Sequence, residues 1–437
     1  MPMSDMGIVT RSIRSRLFGS ALSVLTVAVA VALLLVMLSM RDAGRRSFER
    51  GASNAHLIVS RDASSLSTVL NTLYYAGNPP RSISMDELSR LEASRTSLGR
   101  PIGALTDWAI PVQTGDSFRG LPVLATMPEF FVEFEPAAGT PWSFAEGAVF
   151  SEPFDIVIGA DVAAITNLAI GDRIHVAHGS TNPDGSGAAH IHDEYDFTIV
   201  GILDRTSTAH DRALFIDLQD SWAMHAHDRL LIENPNIPPT QRDQVTPVDR
   251  QMTALLMRTT TREGAQTSGS LIEVSETIRR HPLGFVVASP SEELRKLFAI
   301  VGGIDQILVG LAAAVLVAGT ISIMVALVGG MEQRRRQIAV LRVLGASRGR
   351  IFGLVVTEST LLALVGAIVG VALSVFGVTI VADAVRLRTG LVIESDVSPY
   401  WMAVVAGGTV VLGVIAGLVP AAMAYRTSVI ARLRPIG

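Results

Sequence analysis

Four long apolar runs constrain this chain more than any other feature. Leu17–Met40 contains no charged residue, and at about 1.5 Å per helical residue it is long enough to cross a hydrocarbon core of about 30 Å. Backbone N–H and C=O groups find no water there, so such a run crosses as a helix. Leu297–Met331, Ile351–Ala382 and Trp401–Met423 repeat the pattern toward the other end. Charged residues are 17% of the chain, too many for spans alone, although 49% of residues are hydrophobic and the mean hydropathy is +0.41. A substantial domain in water has to accompany the helices. The expected class is an α+β membrane protein: four transmembrane helices with a large mixed α/β extracytoplasmic domain between the first and second.

Arginine placement orients the spans. Arg11, Arg14 and Arg16, then Arg334, Arg335, Arg336, Arg342, Arg348 and Arg350, then Arg426, Arg432 and Arg434 all fall on one side of a four-span arrangement. By the positive-inside rule that side is cytoplasmic, and both termini lie there. The first run exceeds a signal-peptide core and has no A-x-A site after it, so it reads as an uncleaved signal anchor. The expected boundaries are a cytoplasmic segment 1–16, spans at 17–40, 351–382 and 401–423, and a domain at 41–295. A stalk with the second span covers 297–331, a cytoplasmic coupling helix 332–350, a short outer loop 383–400 and a tail 424–437. The second run is longer than one crossing requires, and Gly302, Gly303 and Asp305 mark its beginning as the stalk.

Within 41–295, Phe154–Ile158 and Phe197–Ile202 have the β-branched-rich composition of buried strands, and Asp161–Leu168 has that of a helix. Gly171-Asp172 turns into a further strand at Arg173–Val176, and Thr181–Gly187 is a loop.

Several functions are excluded or disfavoured. Cysteine is absent, which removes disulfides and thiolate metal sites. Lys296 is the single lysine, and it follows Glu292, Glu293, Leu294 and Arg295 rather than a glycine-rich turn. The chain has no P-loop of its own, so nucleotide-driven work must come from another polypeptide. A net charge of -4 gives no basic field for nucleic acid. No evident nucleophile and base pair marks an enzyme.

Between the second and third runs lies Met331-Glu332-Gln333-Arg334-Arg335-Arg336-Gln337-Ile338-Ala339-Val340-Leu341-Arg342-Val343-Leu344-Gly345-Ala346-Ser347. A generic basic loop would do no more than fix topology. Here Ile338, Leu341 and Leu344 recur at helical spacing beside Val340, and Gly345 is placed to cap the helix, which points to a docking helix for a cytoplasmic partner. Glu332, Arg334, Arg335, Arg336, Ile338, Leu341, Arg342 and Gly345 are the candidate coupling residues.

This stretch, with Ile351-Phe352 and Glu358 after it, resembles the signature of FtsX-like, MacB-type ABC permeases. Those proteins usually carry Glu and Gly where this chain has Gln337 and Ala339. Gly417-Leu418-Val419-Pro420-Ala421 resembles the family's last span. Val157-Ile158-Gly159, Leu168-Ala169-Ile170-Gly171-Asp172 and Phe197-Thr198-Ile199-Val200-Gly201-Ile202 are similar to its periplasmic core. The resemblance implies a homodimer in the bacterial inner membrane, bound to two copies of a separate ATPase that carries the ATP and Mg²⁺, with a periplasmic partner as a further possibility. It also implies motion passed along the second span to the periplasmic domain rather than conduction between spans. Export or extraction of a substrate is the primary expectation. Activation of a periplasmic enzyme and release of lipoproteins are the alternatives.

Two acids fall within the apolar runs. Glu358 suits a structural pairing with a neighbouring arginine better than a proton relay, and Asp305 suits a wet position in the stalk. Gly366/Gly370 and Gly413/Gly417 put small residues one turn apart, as close packing between spans of one chain requires.

Seven of the nine histidines fall in one part of the large domain. His190-Ile191-His192-Asp193-Glu194 and His225-Ala226-His227-Asp228 combine imidazoles with carboxylates, a donor set suited to zinc or another borderline metal. Solvated surface histidines are the plainer reading, and no H-E-x-x-H is present. The candidate ligands are His190, His192, Asp193, Glu194, His225 and His227.

Overall fold

The computed structural model describes residues 5–14, 16–51, 53–179, 190–261, 269–343, 345–389 and 396–426. The expected loop Thr181–Gly187 lies outside these. The chain divides into a membrane unit that gathers the long apolar helices and an inserted domain built on residues 45–299.

The four long helices are Leu17–Gly51, Pro290–Val343, Arg348–Thr389 and Pro399–Arg426. Each contains a segment long and apolar enough to cross a bilayer: Leu17–Arg46, Gln306–Met331, Arg348–Val385 and Pro399–Arg426. The chain is thus a multi-pass membrane protein. All four helices overrun the expected spans, because the flanking residues include good helix formers and no proline stop. The largest departure is at 332–350, where no separate coupling helix exists. Residues 332–343 continue the second long helix without a break, since Glu, Gln, Arg, Ala and Leu all propagate helix. The change from apolar to basic marks where lipid would end, and the helix continues through it.

Small residues set the packing of the first, third and fourth helices. A Cβ on Gly366 would lie 2.8 Å from Val27, and one on Gly370 2.6 Å from Val31. Gly377 meets Val36 in the same way at 2.9 Å. Residue numbers rise together along both helices, so the first and third run parallel. Against the fourth helix they run in opposite senses: Gly413 sits on Ala363, and Gly417 on Ser359 and Val356. The expected role of both glycine pairs, close approach within one chain, is what the packing shows. Trp401 Nε1 donates to Asp42 Oδ2 at 2.8 Å, tying the first helix to the fourth.

In the inserted domain a twelve-stranded mixed sheet runs in the order Val286–Ala288, Leu57–Ser60, Ala254–Thr259, Thr106–Phe118, Leu121–Thr126, Leu214–Asp217, Asp155–Ile158, Phe197–Leu203, Phe144–Gly147, with three short strands off this path. Leu57-Ile58-Val59 and Ile156-Val157-Ile158 are apolar on both faces because helices or loops cover both sides. Period-two alternation divides their side chains: Ile58, Leu124 and Val157 enter one core, Leu57 and Val59 a second, and Val123, Ile156 and Ile158 a third. The strand expected at Phe154–Ile158 forms as Asp155–Ile158, and the helix expected at Asp161–Leu168 as Ala160–Thr166. The strand expected at Arg173–Val176 shortens to Arg173–Ile174.

Thr106–Phe118 serves both halves of the sheet. It pairs with Ala254–Thr259 through its first part and with Leu121–Thr126 through its second. Gly115, at φ +142°, is the extra residue of a bulge between Thr114 and Asp116 in the latter ladder.

The first core is rich in aromatics. Phe130 stacks on Phe134 with ring centroids 4.6 Å apart and lies against Trp142 and Phe215. His210 is enclosed by these rings, with Nδ1 hydrogen-bonded to the Tyr75 hydroxyl at 2.6 Å. Burial pulls its pKa down to about 3.

Two outcomes follow. Gly370→Leu overpacks the contact with Val31 and should cost about 1–3 kcal/mol of stability. Gly407→Leu, where a Cβ meets nothing within 4 Å, should be neutral; thermal melts of the detergent-solubilised protein compare the two. His210 binds its proton more weakly folded than unfolded, so stability rises with pH across this range. It should fall as pH drops from about 6.5 toward about 3. His210→Phe should flatten that limb, while leaving the Tyr75 hydroxyl unpaired at about 1–3 kcal/mol, as read from urea titrations at several pH values.

Candidate functional site

The first candidate is the basic end of the membrane unit. After Val343 the second helix terminates in a Schellman arrangement: Ala346 N–H donates to Leu341 O at 3.0 Å and Gly345 N–H to Arg342 O at 3.1 Å. Gly345 takes φ +96°, which a side chain would resist. Ser347 Oγ then accepts from Arg350 N–H at 3.2 Å and caps the third helix. Two long helices are joined by a turn whose every step the sequence specifies.

Of the expected docking stripe, Ile338 faces inward. It is buried with Ile351, Val355, Ala421 and Ala424, where its side chain helps hold the second, third and fourth helices together. Leu341 is half-buried, while Val340 and Val343 are exposed. Among the described residues, the apolar surface open to a partner is therefore Val340 and Val343, displaced from the stripe read by helical spacing; Leu344 lies outside the described residues. The side chains of Glu332, Arg334, Arg335 and Arg336, and that of Asp305, lie outside the described residues.

A short helix, Asp5–Arg14, packs beside the start of the third helix. Arg350 donates to Asp5 through Nε at 2.9 Å and Nη2 at 2.6 Å, and two turns along Ser12 Oγ donates to the Glu358 carboxylate at 3.1 and 3.2 Å. Glu358 is buried, and its carboxylate accepts from this hydroxyl. Arg348 lies over the Tyr425 ring at 5.8 Å. The N-terminal helix, the 345–347 turn and the end of the fourth helix thus meet at one end of this unit, as the arginine pattern requires.

The second candidate lies in the inserted domain. His190, His192, Glu194 and Asp228 bring one donor atom each to within 4.8 Å of one another, and Asp116, His178 and His225 form a second such group. The first strip comes from strand His190–Ile191 and the residues after it, while His225 and Asp228 come from helix Leu218–Glu233. Asp193 is exposed and outside both groups. His227 is buried elsewhere, with Nδ1 3.3 Å from Thr240 Oγ1 and its ring edge-on to Tyr195. On a helix, positions i and i+3 share a face whereas i and i+2 diverge. Reading 218–233 as a helix would therefore have selected His225 with Asp228 rather than with His227.

The two groups differ electrostatically. His178 Nδ1 donates to Asp116 Oδ1 at 3.1 Å, and His225 Nε2 lies 3.5 Å from the same oxygen. Burial opposes ionisation of Asp116, but the His225 charge and the His178 hydrogen bond outweigh it and hold the carboxyl below the usual range. The bond to Asp116 in turn raises His178. His192, fully buried, is pulled below its ordinary value by desolvation. Neither of its ring nitrogens has a hydrogen-bond partner, and Glu194 Oε1 and Asp228 Oδ1 are likewise buried without one.

Four helices long and apolar enough to cross a membrane, with a mixed α/β domain inserted after the first, define a multi-pass membrane protein that carries a large inserted module. The FtsX-like permease C-terminal family matches residues 309–429, and the MacB-like periplasmic core domain matches residues 20–266, over half of the chain. The chain belongs to the FtsX/MacB-type family of ABC transporter permeases. An uncharacterized ABC transporter permease of Methanocaldococcus jannaschii is 27% identical over 150 residues, 34% of this chain and 38% of that protein. The match thus spans well under half the length of that relative.

Gly345→Val forces a β-branched residue into the left-handed region and should destabilise the solubilised protein by about 1–2 kcal/mol or more. Gly345→Asn should cost less; chemical unfolding of the two variants side by side provides the comparison.

Proposed function

We propose that this chain is the permease subunit of a MacB-type ABC transporter, passing ATP-driven motion from a separate ATPase to its periplasmic domain for export or extraction of a substrate. The observation that carries this reading is the 54-residue helix Pro290–Val343, about 80 Å of unbroken helix at 1.5 Å per residue. It begins in the inserted domain and ends at the basic turn. A continuous helix carries displacement along its axis because each backbone hydrogen bond would have to lengthen to absorb it.

The basic end is the docking surface in this proposal. Arg342, with the exposed Val340 and Val343, offers the charged and apolar contacts that an ATPase would grip, and the fixed turn at 345–347 hands its movement to both the second and third helices. ATP and Mg²⁺ reside on the ATPase, and this chain is non-catalytic. The protein works as a homodimer in the inner membrane with both termini cytoplasmic. The arginines at the basic end support that orientation.

Arg342→Glu or Val340→Asp should weaken binding of the ATPase at least about tenfold, equivalent to about 1.4 kcal/mol, and reduce stimulated ATP hydrolysis in reconstituted vesicles while leaving membrane insertion intact. Unchanged binding and hydrolysis in both variants would remove the docking assignment. Failure of the unaltered chain to bind any ATPase under nucleotide-trapping conditions would remove the coupled reading altogether.

A further inference from the structure

We infer that His190, His192, Glu194 and Asp228 form a transition-metal site in the inserted domain, of a donor type that selects zinc. The argument starts from spacing. His190 Nε2 lies 3.4 Å from Asp228 Oδ1, His192 Nδ1 3.5 Å from Glu194 Oε1, and His192 Nδ1 3.6 Å from Asp228 Oδ1. These separations exceed those of N–H···O hydrogen bonds, about 2.7–3.2 Å. They do fit the edges of a coordination tetrahedron: with metal–ligand bonds of about 2.0–2.2 Å, neighbouring donors stand about 3.3–3.6 Å apart. Three edges of the four-donor set meet that length.

Burial supplies an independent observation. His192 is 0% exposed and both its ring nitrogens are unpartnered, as are the Glu194 and Asp228 oxygens that face it. A buried polar atom without a partner costs about 1–3 kcal/mol, more if charged, and here several such atoms converge on one point. A divalent ion bound among them satisfies His192 Nδ1 and the two facing carboxylate oxygens together and balances the two carboxylate charges. Two imidazoles disfavour calcium and magnesium, which take oxygen ligands, and two imidazoles with two carboxylates suit zinc.

The neighbouring Asp116, His178 and His225 group adds a local support. Its carboxylate already serves two histidines, and its His225 ring lies 6.2 Å from that of His192. The short strand His190–Ile191 pairs with Ala177–His178, which pairs in turn with Thr106–Phe118. An ion held jointly by His190 and Asp228 therefore fastens this small edge of the sheet to helix Leu218–Glu233.

The test uses the full-length protein in detergent, stripped with chelator and titrated with Zn²⁺ against a competing chromophoric chelator, with metal content measured after desalting. About one zinc per chain is expected. His192→Ala, the near-isosteric Asp228→Asn and His190→Ala should each lower affinity at least about a hundredfold, since even outer-shell changes can cost 10–100-fold. His190 is half-exposed, so its variant is the least able to disturb the fold, and near-UV circular dichroism checks that it has not. His175→Ala, at an exposed histidine paired with Asp196, should bind as the unaltered chain does. Absence of saturable zinc binding by the unaltered protein, or unchanged affinity in the folded His190→Ala and Asp228→Asn variants, overturns the site.

Discussion

Backbone amides in hydrocarbon must bond to one another, and that requirement organises this protein. It makes each apolar run a helix, but it provides no instruction for stopping. Water tolerates helix as well as lipid does, so a helix ends where a residue forbids its continuation. In the second long helix nothing between Pro290 and Val343 does so. Its length follows from composition on both sides of the apolar segment, and termination waits for Gly345 in its left-handed conformation. Ser347, two residues further on, then caps the next helix.

With no hydrophobic drive between helices in lipid, their association rests on close packing. Gly366, Gly370 and Gly377 bring the backbone of the third helix against valines of the first, while Gly413 and Gly417 do the same between the fourth and third. Polar contacts between helices lie toward the ends of this unit: Asp42 with Trp401 at one, Asp5 with Arg350 and Ser12 with Glu358 toward the other. Small residues set the distance between helices, and the end contacts set their register.

The helical framework was legible because hydropathy over twenty residues is a strong, local signal. Boundaries were less so: the switch at Met331 from apolar to arginine-rich sequence marks a change of solvent, and secondary structure does not follow solvent there. Ile338 looked like part of a docking face because periodicity identifies a face without saying what covers it. Asp116 could not be found beside His178 and His225 since the three are joined only by sheet pairing and packing across distant segments. The pair His190 and His192 was readable from i, i+2 spacing, whereas choosing Asp228 over His227 needed the knowledge that 218–233 is helical. In the domain, strands with unbroken β-branched runs were visible and the long strand Thr106–Phe118, with its mixed polar pattern, was not.

That strand has a mechanical consequence. Because it belongs to both halves of the sheet, the two halves are joined by covalent chain as well as by hydrogen bonds. The strand's ladder with Leu121–Thr126 is interrupted at Gly115. The next residue is Asp116, which holds His178 and His225. Any flexure of the sheet at that point would turn a carboxylate relative to its imidazoles, so a bend in the scaffold would also change the geometry of the histidine cluster.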